Sequence, residues 1–271
     1  MKIILSRKGF DSENGKIPSP ILPDGTLLSL PIPDDKGNNT FLSLHWNETS
    51  YYDIIHSLKH KINIPNECHL DPDLRKNIRN RLPGWKPAFG QSGSALGHLQ
   101  NMDVNKGDLF LFFGRFKETE ENKKGELVYK RGAKDLHIIY GYMQIGEIIN
   151  VTDVLKGKTK APDWLKEHPH IGDKNDKRGD KNTIYLPTDK LSFLPNLEGC
   201  GLLNYRKDRV LTKDGMSKSK WGLPDCFKNV EISYHPHPWK DNYFQSAAKG
   251  QEFVLEATPS IIEWVKHIIK E

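Results

Sequence analysis

Cysteine is scarce. The 271 residues hold three, Cys68, Cys200 and Cys226, far apart and with no CxxC pair. A disulfide framework and a cysteine-zinc site are therefore not expected, and a reducing cytoplasm fits. Long apolar runs are also missing. The strongest are as short as Leu109–Phe113, whereas a membrane span needs roughly 20 apolar residues. Near the start, only Ile3 to Leu5 is apolar before Arg7 and Lys8. A secretory signal needs an apolar core of roughly 7–15 residues, so export is not expected and a cytoplasmic protein is. Charge of one sign is not dominant either: 40 Lys and Arg face 35 Asp and Glu, a formal +5. That excess is mild for a dedicated DNA-binding module. No internal repeat or low-complexity tract is evident.

What remains is a chain able to build a core. Hydrophobic residues make up 36%, with 6 Trp, 9 Tyr and 11 Phe, large groups that need burial or a flat ligand. Met1 to Leu5 reads as an opening strand. The Gly- and Pro-rich stretch behind it, through Pro33, cannot be helical because Pro18, Pro20, Pro23, Pro31 and Pro33 interrupt it. Residues 50–62 read as a helix capped by Ser50, with Ile54, Ile55, Leu58 and Ile62 on one stripe. Asp71-Pro72-Asp73 reads as the start of a second helix, with Asp71 as its cap. Leu109–Phe113 and Leu136–Ile149 read as strands, and residues 117–134 as an exposed hairpin excursion. Residues 156–182 read as a polar surface loop. A helix closes the chain after Thr258-Pro259, burying Ile261, Ile262, Val265, Ile268 and Ile269. The pattern predicts an α+β protein, one domain over residues 1–271, with a central, mostly antiparallel sheet and peripheral helices.

Several polar constellations carry chemistry. Arg7, Lys8 and Asp11 surround Gly9 directly after the first strand, and two cations beside a glycine suit a phosphate or carboxylate. His69 and Asp73 are the acid–base candidates, in His69-Leu70-Asp71-Pro72-Asp73. No HExxH pattern accompanies them, and no metal ligand is assigned. Gly90-Gln91-Ser92-Gly93-Ser94, followed by His98, offers an amide, hydroxyls and an imidazole at a turn. Gln91, Ser92 and His98 are candidates for reading a base edge. Arg115, Tyr140 and Gln144 on the two long strands are candidate pocket residues. Gln251 and Glu252 present donors and an acceptor before the last helix. Two basic runs, Arg75–Arg81 and Arg206–Lys220, are either phosphate contacts or solvated faces. The loop His235-Pro236-His237 reads as a loop rather than a metal site.

The central hairpin, GDLFLFFGRF with IIYGYMQIGE, resembles the PUA-like superfamily, which implies a small barrel with a pocket for RNA or modified bases. Taken together, SRKGFD, PSPI, HLDPDL, FGQSGSALGHL, GDLFLFFGRF, IIYGYMQIGE and GQEFVL resemble the nucleotide-modification-associated domain family, third type, over nearly the whole chain. The resemblance implies a bacterial or phage setting beside DNA-base modification and a nucleotide or modified base as partner. It names neither a reaction nor a cofactor. The family's Trp after FFG is Arg115 here, which puts a stacking role at that position in question. Three readings stand side by side: a binder of nucleotides or modified bases, a transferase or hydrolase using His69 and Asp73, and a non-catalytic docking protein.

Overall fold

A computed structural model describes residues 1–172, 181–248 and 250–270. Its centre is a nine-stranded mixed sheet: β1 (Lys2–Arg7), β2 (Ser19–Ile21), β3 (Phe89–Ser92), β4 (Leu109–Glu121), β5 (Leu127–Tyr129), β6 (Leu136–Asn150), β7 (Asn182–Pro187), β8 (Cys200–Leu202) and β9 (Glu252–Glu256). The main path runs β9-β1-β4-β6-β7-β3. Most pairings are antiparallel, as expected, but β1 and β2 both run parallel to β4. The expectation of a mostly antiparallel sheet therefore needs the word mixed. The sheet curls into a half-barrel, and specifically PUA-like features are not part of what the fold establishes.

The alternation of β4 explains the core. A strand throws successive side chains to opposite faces, and the run Leu109–Phe113 is apolar at every position because both faces are covered. Leu109, Leu111 and Phe113 pack with Ile261, Val265 and Ile268 of the closing helix. Phe110 and Phe112 pack on the other face with Met143, Tyr185 and the helical residues Leu96 and Leu99. A third cluster gathers the Gly- and Pro-rich region, with Phe10, Leu28, Leu30 and Phe41 around Tyr51 and Ile55. Its regular apolar residues pack on the body, as the sequence suggests.

Three longer helices decorate the sheet: α1 (Tyr51–Leu58), α2 (Gly93–Asn101) and α3 (Pro259–Ile269). Ser50 caps α1, its Oγ accepting the Asp53 N–H at 3.0 Å. The helix stops at Leu58 instead of 62 because Lys59 is extended. Thr258 caps α3, with Pro259 in the first turn. No helix begins at Asp71. Asp73 instead bridges to Ala88 in extended pairing, and only a short 3-10 turn forms, Lys76–Ile78. Residues 117–134 do turn back as a hairpin, with β5 against the far end of β4.

The expected surface loop is only partly one. Residues 151–172 hold three short helical turns, and Trp164, Leu165, His168 and His170 are buried. Its charged tail, Asp173 to Asp180, lies outside the described residues. Among the described residues no helix is long and apolar enough to cross a membrane.

Candidate functional site at the seam of the sheet

The curl brings the two end strands of the path, β3 and β9, within side-chain reach. Gln91 of β3 donates from Nε2 to Glu252 Oε1 of β9 at 2.6 Å. Lys8, just past β1, donates to the same oxygen at 2.7 Å. All three side chains are buried, Glu252 to 1% exposure. The Lys8 ammonium also sits 4.6 Å from the centre of the Phe89 ring, a position the ring's negative face favours. A buried charge pair persists when its remaining polar atoms are satisfied. Here one is not: Glu252 Oε2 has no hydrogen-bond partner among the described residues.

That carboxylate lines a hollow of about 470 Å³. Gln91, Ser92, Gly93 and Ser94 form one wall, and His98, Tyr234 and Gly250 to Glu252 the rest. Gly93 opens α2 at φ +58° with nothing in front of it, and Ser92 caps the helix without a side-chain hydrogen bond. Gly93 donates its own N–H to the Lys181 carbonyl at 3.0 Å, and the next first-turn amides have no intrahelical acceptor, so this wall presents them together with the positive end of the helix dipole. His98 meets Ser233 Oγ at 2.9 Å, and its ring lies against Tyr234, tilted by 35° with centres 4.2 Å apart. Burial lowers the His98 pKa, against a smaller pull upward from Glu252. Lys8, Gln91, Ser92, His98, Gln251 and Glu252, drawn from distant stretches, therefore do meet.

A second polar cluster lies across β3. Successive residues of a strand face opposite ways, so Gly90 looks away from Gln91. A Cβ there would lie 2.3 Å from the His170 ring; glycine is what lets the imidazole approach. Asp71 Oδ1 accepts the Gly90 N–H at 2.8 Å and lies 3.4 Å from His168 Nε2. Asp71 Oδ2 lies 3.5 Å from His170 Nε2 and 3.8 Å from His69 Nε2. Burial alone would raise the Asp71 pKa, but contacts from the three histidines outweigh it and hold the carboxyl well below its usual range. Burial likewise lowers His170, against the pull of Asp71. One nitrogen or oxygen from each of His69, Asp71 and His170 falls within a 4.8 Å cluster, the arrangement able to hold a metal ion. Asp71 is thus the centre of a histidine cluster, not a helix cap.

Other expected residues are spent elsewhere. Asp73 forms two 2.6 Å hydrogen bonds with Arg81, both side chains 5% exposed, so its oxygens are tied up and it does not reach His69 chemistry. Arg7 donates to the Ala247 and Ala248 carbonyls and so holds the loop before β9, not a ligand face. Asp11 accepts the N–H groups of Glu13 and Asn14 in its own turn. Arg115 pairs with Asp135 at 2.6 Å. Tyr140 is buried in the core. Gln144 bonds Gly107 O and both the N–H and the hydroxyl of Ser192, tying a loop to β6. Several cations of the basic runs are engaged within the fold. Arg79 and Arg81 pair with Glu167 and Asp73. Arg75 sits against Trp46. Arg206 and Arg209 donate to the last carbonyls of α3, where cations complement the helix dipole.

Sequence reasoning missed His168, His170, Asn182 and Tyr234. The signal for the first two was present: Trp164-Leu165 is an apolar pair inside an otherwise polar stretch, and His168-Pro169-His170 follows it. The other histidine pair stays a loop, with His235 accepting the Ala247 N–H at 2.8 Å.

The family model described as nucleotide modification associated domain 3 matches residues 2–256. No curated protein and no solved structure matches the chain.

Proposed function

The chain belongs to the nucleotide modification associated domain 3 family, and from that premise we propose that the hollow at the seam binds a nucleotide, or a single modified base turned out of its strand. The observation that carries the reading is the buried, unpartnered Oε2 of Glu252, a residue that lines that hollow. An unpaired buried acceptor is costly, and a base amino or imino group supplies the missing donor. Tyr234, 52% exposed and backed by His98, offers a flat surface; stacking a base there is worth roughly 1–3 kcal/mol. The uncapped amides of α2 suit the phosphate. The modest net charge of +5 fits one nucleotide better than an extended duplex footprint.

Glu252→Gln tests this. Its amide oxygen still accepts from Lys8 and Gln91, while its nitrogen replaces the acceptor Oε2 with a donor. Calorimetry with a panel of nucleoside monophosphates should find one that binds the native protein and weakens at least about tenfold in the variant, the scale of one charged hydrogen bond. Equal affinities, or no binding by any nucleotide, overturn the reading.

A second reading, turnover of the nucleotide by a transferase or hydrolase, is favoured by the histidine cluster on the other face of β3. With Asp73 held by Arg81, the acid–base role moves to His69 alone. Product formation by the native protein, abolished in a folded His69→Ala variant, would support it.

A further inference from the structure

We propose that His69, Asp71 and His170 form a binding site for a divalent first-row transition-metal ion, a two-histidine, one-carboxylate site with open positions for solvent or substrate. The proposal stands apart from nucleotide binding at the seam, because it uses other residues on the opposite face of β3.

The first argument is directional. Asn182 Nδ2 donates to the His170 carbonyl at 3.0 Å, which fixes the amide so that its Oδ1 faces His170 Nδ1 at 2.6 Å. An oxygen there accepts, so the His170 proton is on Nδ1. Nε2 of the neutral ring then carries a lone pair, and it points at Asp71 Oδ2, a second acceptor, 3.5 Å away. A metal ion between the two atoms would satisfy both. His69 Nε2 approaches the same oxygen at 3.8 Å.

The second argument is the spacing. Around a tetrahedral ion with bonds of about 2.1 Å, neighbouring ligand atoms sit roughly 3.4 Å apart. The three ligand atoms lie within 4.8 Å of one another, with Asp71 Oδ2 3.5 and 3.8 Å from the two imidazole nitrogens, so the cluster contracts to reach that spacing. Imidazole and carboxylate donors without thiolate suit zinc, iron(II) or manganese.

The third argument is the outer layer, which in metal sites orients each ligand. Asp71 Oδ1 is held by the Gly90 N–H. The His170 backbone N–H donates to His168 Nδ1 at 3.3 Å, so His168 carries its proton on Nε2, which lies 3.4 Å from Asp71 Oδ1 without a hydrogen bond to it. His168 is thereby a positioning residue for the carboxylate and not a fourth ligand. Asp34 Oδ2 lies 3.8 Å from His69 Nδ1 and backs that ring. Each proposed ligand thus has its own partner, and His69 keeps a solvent-facing edge, its side chain 16% exposed.

The test uses the full chain, stripped with chelator and titrated with Zn²⁺, Mn²⁺ and, without oxygen, Fe²⁺, in the absence of any nucleotide. A single equivalent of one of these ions should bind, and Co²⁺ should take on the visible spectrum of a low-symmetry site with imidazole ligands. His69→Ala, at a partly exposed position, should keep the native melting curve and lose the bound equivalent. Asn182→Ala should weaken the ion by about 10–100-fold through the freed imidazole. If Asn182→Ala does not fold, His168→Gln replaces it, with weakening in the same range. Absence of stoichiometric binding by every ion tried overturns the proposal. So does a bound equivalent that survives in His69→Ala, since the ion then sits elsewhere. A nucleotide that fails to bind the seam leaves these outcomes intact.

Discussion

β3 separates two polar clusters that handle burial differently. On the Gln91 side, charge is balanced from within: Lys8 neutralises Glu252, Gln91 shares the same oxygen, and one acceptor atom is left over. On the Gly90 side, a single carboxylate meets three imidazoles and, among the described residues, no Lys or Arg. The first cluster completes itself except at one reading edge. The second gathers the atoms proposed as ligands of an external cation. Two recognition tasks, an organic donor and an inorganic ion, can therefore sit back to back on one strand, because strand alternation gives each its own face.

The largest effect should come from breaking the internal balance. Lys8→Ala leaves Glu252 buried beside a neutral amide, and removing one partner of a buried pair costs about 3–5 kcal/mol. Urea denaturation should show that loss, and adding Glu252→Leu should recover much of it. A loss below about 1 kcal/mol, the scale of an exposed pair, would mean that the Gln91 side is not a closed charge pair, and the contrast would fail.

A smaller effect should follow on the other face. The Cβ of Gly90→Ala meets His170 at 2.3 Å, and that ring is tethered through Asn182. Overpacking of this kind costs about 1–3 kcal/mol. The cost should nearly vanish in a His170→Ala background, a coupling that a double-mutant cycle reads directly. Additive losses would show that the glycine does not make room for the imidazole.

Much of the scaffold was legible because its signals are local. Ser50 and Thr258 are capping residues next to apolar stripes, and Leu109–Phe113 is apolar at every position because two layers cover it. At the seam, Glu252 was legible at the end of an apolar strand, and Gln91 as a polar candidate, although its surroundings read as a turn and it lies in β3. Their meeting was not, since it depends on how far a nine-stranded sheet curls. Asp71 misled for a related reason: Asp-Pro is a good helix start in isolation, but Gly90 and three histidines compete for its oxygens and win. His168 and His170 were hidden by their charged neighbours, whose side chains dominate composition without deciding which way Trp164 and Leu165 turn. The basic runs show the converse. Arg81, Arg206 and Arg209 look like a phosphate surface in one dimension and are consumed by Asp73 and the end of α3 in three.

A buried histidine with a closed hydrogen bond supplies the control for the one facing Asp71. His137 accepts the Trp221 indole N–H at Nδ1, 3.0 Å away, and is packed between β4 and that indole. Burial, helped by Arg7, Lys218 and Arg115, pushes its pKa down to about 3, from an unfolded value near 6.5. Between those two values the unfolded chain takes up a proton that the native ring refuses. Stability from this residue is therefore complete above about pH 6.5 and lost as pH falls toward 3. The slope is on the order of 1 kcal/mol per pH unit. Urea midpoints measured from pH 5 to 6.5, above the range where most carboxylates titrate, should rise with pH in the native protein and rise less steeply in His137→Gln, where the other histidines lowered by burial still contribute. Parallel slopes in the two proteins would mean that the folded ring protonates readily, and a closed hydrogen bond would then not distinguish His137 from the imidazole on the metal-ligand side.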